Sequence, residues 1–363
     1  MLVTVAGLWL IPKRWQDSWL VACTFVFLFV YAFNSLLVML AITCLIGYVT
    51  INLRSSTLAV ASAVLICLIC LLTYRTISDF DDGHDSALLL GFAFYILRAV
   101  HFLMDCYNKR ITAASWKELI KWFWFLPTLQ VGPIHRFETF KRDSARRRWD
   151  SELFSQGLRR ILFGYVKVIL LGNHLVGVKF AAVLTSLNNE SWLFHYLDTL
   201  RYGLLLYFRF AGYSDIAIGF ALLLGFRIME NFNFPFLARN ILDFWQRWHI
   251  SLSSWCKDYV YTPVLSLTRI PFLAALASML ILGFWHEISW RYLLWGLLHG
   301  AGIGICQRWQ RTEIAKSLSE NTVWSYVALI LTQHFVLFSF TLTGLDSIHN
   351  TMDRWRILFG VLP

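Results

Sequence analysis

Charged side chains are scarce in this sequence: Asp, Glu, Lys and Arg make up 15% of the 363 residues, whereas 58% are hydrophobic. Together with a mean hydropathy of +0.57, this scarcity excludes a soluble globular domain, in which about a quarter of the residues are charged. A long polar linker, a low-complexity tract and an internal repeat are also missing. We therefore expect one integral membrane domain over residues 1–363, and the missing repeat argues against a solute transporter built from inverted repeats.

Long apolar runs recur along the chain. A helix that spans a bilayer needs about 20 apolar residues, and the runs predict an all-α polytopic membrane protein with ten or eleven transmembrane helices, some of them short or re-entrant. The runs cover residues 17–34, 35–53, 57–74, 86–104, 116–131, 153–175, 193–208, 210–226, 270–286, 290–306 and 323–343.

The net charge of +10 comes from basic residues that collect at the ends of the apolar runs. This placement indicates membrane orientation and no nucleic-acid partner. The most basic loop, residues 136–160, is expected to face the cytoplasm, and the acidic stretch from Ser78 to Asp85 is expected on the opposite side.

Signatures of metal and nucleophilic catalysis are missing as well. "HEISW" begins at His286 like a zinc-protease motif but ends in Trp290, and His299 lies about 220° further around a continuous helix. A G-x-S-x-G nucleophile motif is absent, so we expect neither a metal site nor a protein nucleophile. Two interpretations of His286 remain: a general acid or base in a membrane-embedded segment, or a histidine satisfied by a neighbouring helix.

The segment "FLPTLQVGPIHRF" contains Pro127, Gly132 and Pro133, which cannot all lie in one straight helix. It predicts either a broken, re-entrant segment or a helix that ends at the cytoplasmic surface.

Residues 208–264 are polar yet rich in aromatic side chains. On one helix Trp245, Trp248, Leu252 and Trp255 form a single stripe, which predicts an interfacial amphipathic helix. His249 falls on a neighbouring face of that helix and needs a specific partner if it is buried.

Four long motifs resemble the membrane-bound O-acyltransferase superfamily, in particular its bacterial alginate O-acetyltransferase and teichoic-acid D-alanyltransferase branch. They occur in the order of the family and cover residues 88–310 well. The motifs are "GFAFYILRAVHFLMDCYNKR", "FLPTLQVGPIHRF", "GYSDIAIGFALLLGFRIMENFNFPFLARNILDFWQRWHISLSSW" and "GFWHEISWRYLLWGLLHG".

The resemblance implies a curved ring of transmembrane helices, with re-entrant and interfacial helices, around a central tunnel. It assigns catalysis to two histidines, His286 as general base and His249 as its companion. Substrate-binding or supporting roles are expected for residues within the same motifs, namely Arg136, Asp215, Asn231, Asn233, Arg247, Trp248, Ser251, Trp285 and Glu287. Glu287 replaces a glycine that is usual in the family, and it either pairs with His286 or points into a polar cavity.

The resemblance also implies a reaction. A cytoplasmic acyl thioester, acetyl-CoA or a phosphopantetheine-bearing carrier protein, donates an acyl group to a hydroxyl on an exported or cell-surface polysaccharide, with no bound cofactor. The expected acyl group is acetyl, and D-alanyl transfer is the alternative. A non-catalytic subunit that passes acyl groups to a periplasmic transferase is a further alternative. We expect location in the bacterial cytoplasmic (inner) membrane, with a periplasmic or extracellular acyltransferase or polysaccharide-synthesis subunits as partners.

Overall fold

The computed structural model describes residues 1–53, 56–80, 89–112 and 114–360, and of residues 75–80 only the helical backbone. Within these ranges every regular element is a helix. The helices are α1 (Leu2–Leu10), α2 (Lys13–Tyr31), α3 (Phe33–Asn52), α4 (Thr57–Phe80), α5 (Phe92–Tyr107), α6 (Trp116–Phe123), α7 (Phe137–Arg146), α8 (Ser151–Tyr165), α9 (Ala181–Leu184), α10 (Trp192–Leu223), α11 (Ile241–Arg247), α12 (Ile250–Cys256), α13 (Thr262–Thr268), α14 (Pro271–His286), α15 (Trp290–Trp309), α16 (Glu313–Ser319), α17 (Thr322–Thr343) and α18 (Ile348–Leu358).

Five helices in the described ranges are long and apolar enough to cross a membrane. They cover Phe33–Asn52, Thr57–Tyr74, Ser151–Leu184, Trp192–Leu223 and Thr322–Thr343, and α14 is a shorter apolar helix. The third of these joins α8 to α9 through a π-helical stretch at Val166–Phe180. The all-helical, polytopic class is thus confirmed, whereas the count of ten or eleven spans and the central tunnel stay predictions. The acidic stretch from Ser78 to Asp85 falls outside the residues whose side chains the structure describes.

Two predicted spans, 193–208 and 210–226, are wrong as separate elements because α10 runs through both of them without a break. Arg209 made the two runs look separate. Its guanidinium donates a hydrogen bond to Asn173 Oδ1 over 2.8 Å, so the charged group is satisfied by a side chain and the backbone stays helical.

The predicted span over 116–131 is also replaced by shorter pieces. Helix α6 has eight residues, a single 3-10 turn follows at Leu126–Thr128, and the next helix begins only at Phe137. Ser115 and Glu118 form a capping box at the start of α6. The predicted break at Pro127, Gly132 and Pro133 is confirmed.

The chain divides into two compact units, residues 1–163 with 214–230 and residues 164–213 with 231–363. In the first unit α5 is buried along most of its length. Its Tyr95 hydroxyl donates to the Met39 carbonyl over 3.0 Å, and the Trp124 indole donates to Thr43 Oγ1 over 3.1 Å. Interhelical hydrogen bonds of this kind satisfy polar groups that would otherwise be buried without partners.

In the second unit α14 and α15 form a tightly packed hairpin. A Cβ atom at Gly296 of α15 would lie 2.7 Å from the Met279 carbonyl oxygen of α14, and one at Gly283 would lie 2.5 Å from the Tyr292 carbonyl oxygen. Because backbone atoms cannot move aside as a side chain can, only glycine permits this approach. The hairpin presents the end of α14 to the first turns of α15.

We predict that Gly296→Ala destabilises the hairpin, by roughly 1–3 kcal/mol as expected for overpacking, and lowers the apparent melting temperature of the detergent-purified protein. Gly302→Ala is the matched control on the same helix, since its Cβ would meet only the tip of the Phe335 ring. Equal melting temperatures for the two variants would contradict the packing argument.

Candidate active site

His249 lies at a break between two short helices. Helix α11 ends at Arg247, α12 begins at Ile250, and His249 between them adopts the left-handed conformation, with φ 44° and ψ 52°. A non-glycine residue is uncommon in this region and costs of order 1–3 kcal/mol. The predicted continuous amphipathic helix is therefore wrong, because the chain turns sharply at this residue.

The side chain of Asn231 holds the break in place. Its Oδ1 accepts hydrogen bonds from the Ser251 backbone N–H over 3.2 Å and from the Ser251 hydroxyl over 2.8 Å, and it lies 3.2 Å from His249 Nδ1. The Asn231 carbonyl accepts the Ile250 N–H over 2.9 Å. An amide oxygen accepts only, so the contact with His249 assigns the proton to Nδ1 and the lone pair to Nε2.

His249 is only 2% exposed. The edge of its ring packs against Phe210 with centroids 4.6 Å apart, and the Trp285 ring lies 6.4 Å away. It lies outside the five long apolar helices. Burial, reinforced by the positive charge that His286 can carry, lowers the pKa of His249 well below its usual range. The imidazole is thus neutral near pH 7.

His286 is the last residue of α14 and is partly exposed. Its ring lies against three aromatic rings, with centroid distances of 4.7 Å to Trp285, 5.6 Å to Tyr292 and 6.0 Å to Trp295. The Trp285 ring lies 4.7 Å from the His286 ring and 6.4 Å from the His249 ring, so the fold brings together the two histidines that the sequence analysis singled out. Trp285, 7% exposed, contacts both of them.

Glu287 forms an ion pair with Arg291, whose Nη2 lies 2.8 Å from Glu287 Oε1. Neither role left open by the sequence analysis included this partner, because Glu287 is extended between α14 and α15 and its partner lies on α15. Ser289 accepts a hydrogen bond from the Tyr292 N–H at the start of α15. These contacts fix the turn that follows His286.

Three further predicted residues support the segment before His249. Arg247 Nε donates to Asp243 Oδ1 over 2.6 Å, and the Asn233 N–H donates to the Arg247 carbonyl over 2.9 Å. Trp248 is buried, with its ring 5.2 Å from that of Phe232. They contact the backbone and core around the break, and their predicted supporting role stays a prediction.

Asp215 and Arg136 belong to the other compact unit. There Arg160 Nε donates to Asp215 Oδ1 over 2.7 Å, and the same arginine pairs with Glu230. Arg136 precedes α7 at its N-terminus. A substrate-binding or supporting role for these two residues stays a prediction.

His299 was noticed in the sequence but given no role, and the structure buries it beside the site. It is 1% exposed, the Trp245 indole donates to its Nδ1 over 3.3 Å, and Trp295 packs on it at 4.7 Å. The bond from Trp245 assigns the proton of neutral His299 to Nε2. That atom has no hydrogen-bond partner in the described part of the chain.

A cavity of about 500 Å³ lies beside Trp245 in the same unit. Apolar groups of α14 and α15, including Met279, Leu282 and Ile303, line one side, and Gln246 and Ser253 line another. This size and this mixed lining are typical of sites for small organic ligands.

Comparisons with known proteins show the family to which the chain belongs. A sequence model of the membrane-bound O-acyltransferase family matches residues 8–348. A "probable alginate O-acetylase" of Azotobacter vinelandii is 31% identical over 257 residues, which are 69% of this chain and 50% of that protein. The teichoic acid D-alanyltransferase of Bacillus subtilis is 28% identical over 286 residues, or 74% of this chain and 71% of that protein.

A third relative is the peptidoglycan O-acetyltransferase of Helicobacter pylori, 31% identical over 263 residues, or 63% of this chain and 49% of that protein. The chain spans about half the length of the alginate O-acetylases that it matches. The family match covers nearly the whole chain and includes both histidines. Together with the long apolar helices, it shows a multi-pass membrane protein that belongs to the membrane-bound O-acyltransferase family.

Proposed function

We propose that this protein is an O-acyltransferase that moves an acetyl group from a cytoplasmic thioester to a hydroxyl of an exported or cell-surface polysaccharide. The observation that carries the proposal is the pair of histidines: His249, neutral and oriented by Asn231, beside the partly exposed His286. Family membership supplies the reaction type.

His286 serves as the general base in this proposal. Its imidazole takes the proton from the acceptor hydroxyl as the oxygen attacks the thioester carbonyl carbon. The C–S bond then breaks, and the leaving thiolate takes up the proton. Because a thioester is already activated, no covalent intermediate on the protein is required. Proton transfer by a positioned side chain contributes about 10²–10⁴-fold to rate, and alignment of the two substrates contributes further.

His249 acts as the positioning partner. Since Asn231 assigns the lone pair to Nε2, His249 can accept a hydrogen bond from the acceptor hydroxyl or from His286 but does not add a positive charge. The cavity beside Trp245 has room for the acyl end of a thioester arm.

The names of the relatives guide the choice of substrate. Two of these three relatives are named for O-acetyl transfer, to alginate and to peptidoglycan. The third is named for D-alanyl transfer to teichoic acid. We infer acetyl as the acyl group and acetyl-CoA or an acylated phosphopantetheine carrier as the donor. We further infer the bacterial inner membrane as location and a periplasmic acyltransferase or polysaccharide-synthesis subunits as partners.

We predict that His286→Ala and His286→Gln abolish acyl transfer, with a loss of at least 10²-fold, while the protein stays folded in the membrane. Liquid chromatography with mass spectrometry of surface glycans, with and without each variant, measures the product. His349→Ala is the matched control, because that histidine is exposed on α18. Unchanged acylation in the His286 variants, together with tolerance of substitution at His249, would favour the non-catalytic alternative.

We predict that Asn231→Leu lowers the turnover number at least tenfold and also lowers the melting temperature. The substitution leaves the Ser251 N–H, the Ser251 hydroxyl and His249 without their acceptor, at a cost of about 1–3 kcal/mol for a buried unsatisfied group. Ser251→Ala removes only one of these three contacts, so a smaller effect on both measurements is expected. If the two variants behave alike, Asn231 does not orient His249.

A further inference from the structure

A second cavity, of about 490 Å³, lies where the long apolar helix α17 begins, within the second unit. It is formed by α15, α16, α17 and the residues just before α11. Its lining includes Arg239, Gln310, Lys316, Ser325 and the indoles Trp309 and Trp324, and none of the described residues that line it is acidic.

The charged side chains that line this cavity, Arg239 and Lys316, are both positive. The Arg239 guanidinium contacts the Ser325 hydroxyl at 3.4 Å, and among the described residues it forms no ion pair. Lys316 pairs with Glu313 at 2.7 Å, but both side chains are mostly exposed. Such surface pairs contribute little, so the ammonium group can exchange this partner for another anion.

The cavity holds a pair of indoles that is typical of the level where a membrane meets water. The Trp309 and Trp324 rings lie 6.3 Å apart, and tryptophan is enriched at that level. After Trp324 in the chain, α17 contributes Ala328, Leu331 and Thr332 to the lining of the cavity. The outer surface of the same helix is apolar and exposed, for example at Ile330 and Leu331, which are 53% and 58% exposed.

We propose that this cavity binds an anionic phospholipid, with the phosphate on Arg239 and Lys316 and the glycerol and upper acyl chains along α17 from Ala328 to Thr332. The proposal rests on the membrane location of the chain but not on acyl transfer. Cationic groups and paired indoles at one end of the cavity and an apolar wall at the other match the headgroup and the acyl chains of a phospholipid, whereas a soluble anion or a glycan would leave the apolar wall uncovered.

The position of the cavity also links it to the candidate active site. Arg239 and Asn240 directly precede α11, and Asn240 accepts a hydrogen bond from the Asp243 N–H at the start of that helix. Helix α17 supplies Phe340, whose ring lies 5.9 Å from Trp248. A lipid that ties α17 to Arg239 therefore stabilises the elements around the helix break.

The test uses the full chain, purified in a neutral detergent and stripped of lipid. Phosphatidylglycerol, phosphatidylcholine and soluble glycerol 3-phosphate are added separately, and binding is followed by native mass spectrometry and melting temperature. We expect saturable binding and a raised melting temperature with phosphatidylglycerol alone. Equal effects of phosphatidylcholine would overturn the role of charge, and equal effects of glycerol 3-phosphate would overturn the role of the apolar wall.

Substitutions in the lining test whether the lipid binds in this cavity. Arg239→Gln combined with Lys316→Gln is expected to weaken phosphatidylglycerol binding about twenty-five-fold, at about fivefold for each basic group, and Arg239→Lys is expected to retain it. Arg308→Gln, which removes a charge from the same end of α15 but not from the cavity lining, is the matched control. An equal loss with Arg308→Gln contradicts the proposal; if the double variant does not fold, lipid selectivity of the unaltered chain still decides it.

Discussion

The centre of the second unit depends on one amide oxygen, Oδ1 of Asn231. It contacts both His249 and Ser251, the residues on either side of the point where α12 begins. Without this oxygen, the left-handed conformation of His249 would raise the free energy of the fold with no hydrogen bonds to compensate, because a continuous helix has the lower conformational energy. With it, backbone strain, side-chain orientation and the tautomer of the imidazole are all determined by the same few contacts.

Around that centre the site is aromatic, and it is buried at His249. Phe210, Trp285 and Trp295 surround the two histidines, and the carboxylate nearest in sequence, Glu287, is compensated by Arg291. A neutral imidazole is stable in such a setting, whereas an unpaired ion is not. The tight α14–α15 hairpin maintains this aromatic setting, because it holds the rings of α15 against His286.

The sequence predicted those parts of the fold that depend on local composition. Apolar runs located α3, α4 and α17, and prolines located the break after α6. The partner of Arg209 in the middle of α10 is Asn173, which lies 36 residues away, and the break at His249 is held by Asn231, 18 residues away. Motif resemblance brought His249 and His286 into one hypothesis. It could not reveal the indole bond to His299 or the ion pair of Glu287, which are set by packing.

The pairing of Glu287 with Arg291 has a consequence for how this chain diverged. The two side chains are 27% and 12% exposed, so losing either one alone leaves a largely buried charge without its counter-ion, while losing both leaves none. Positions 287 and 291 are therefore expected to vary as one unit in evolution. Relatives with a small residue directly after the histidine are therefore expected to lack the cation four residues later.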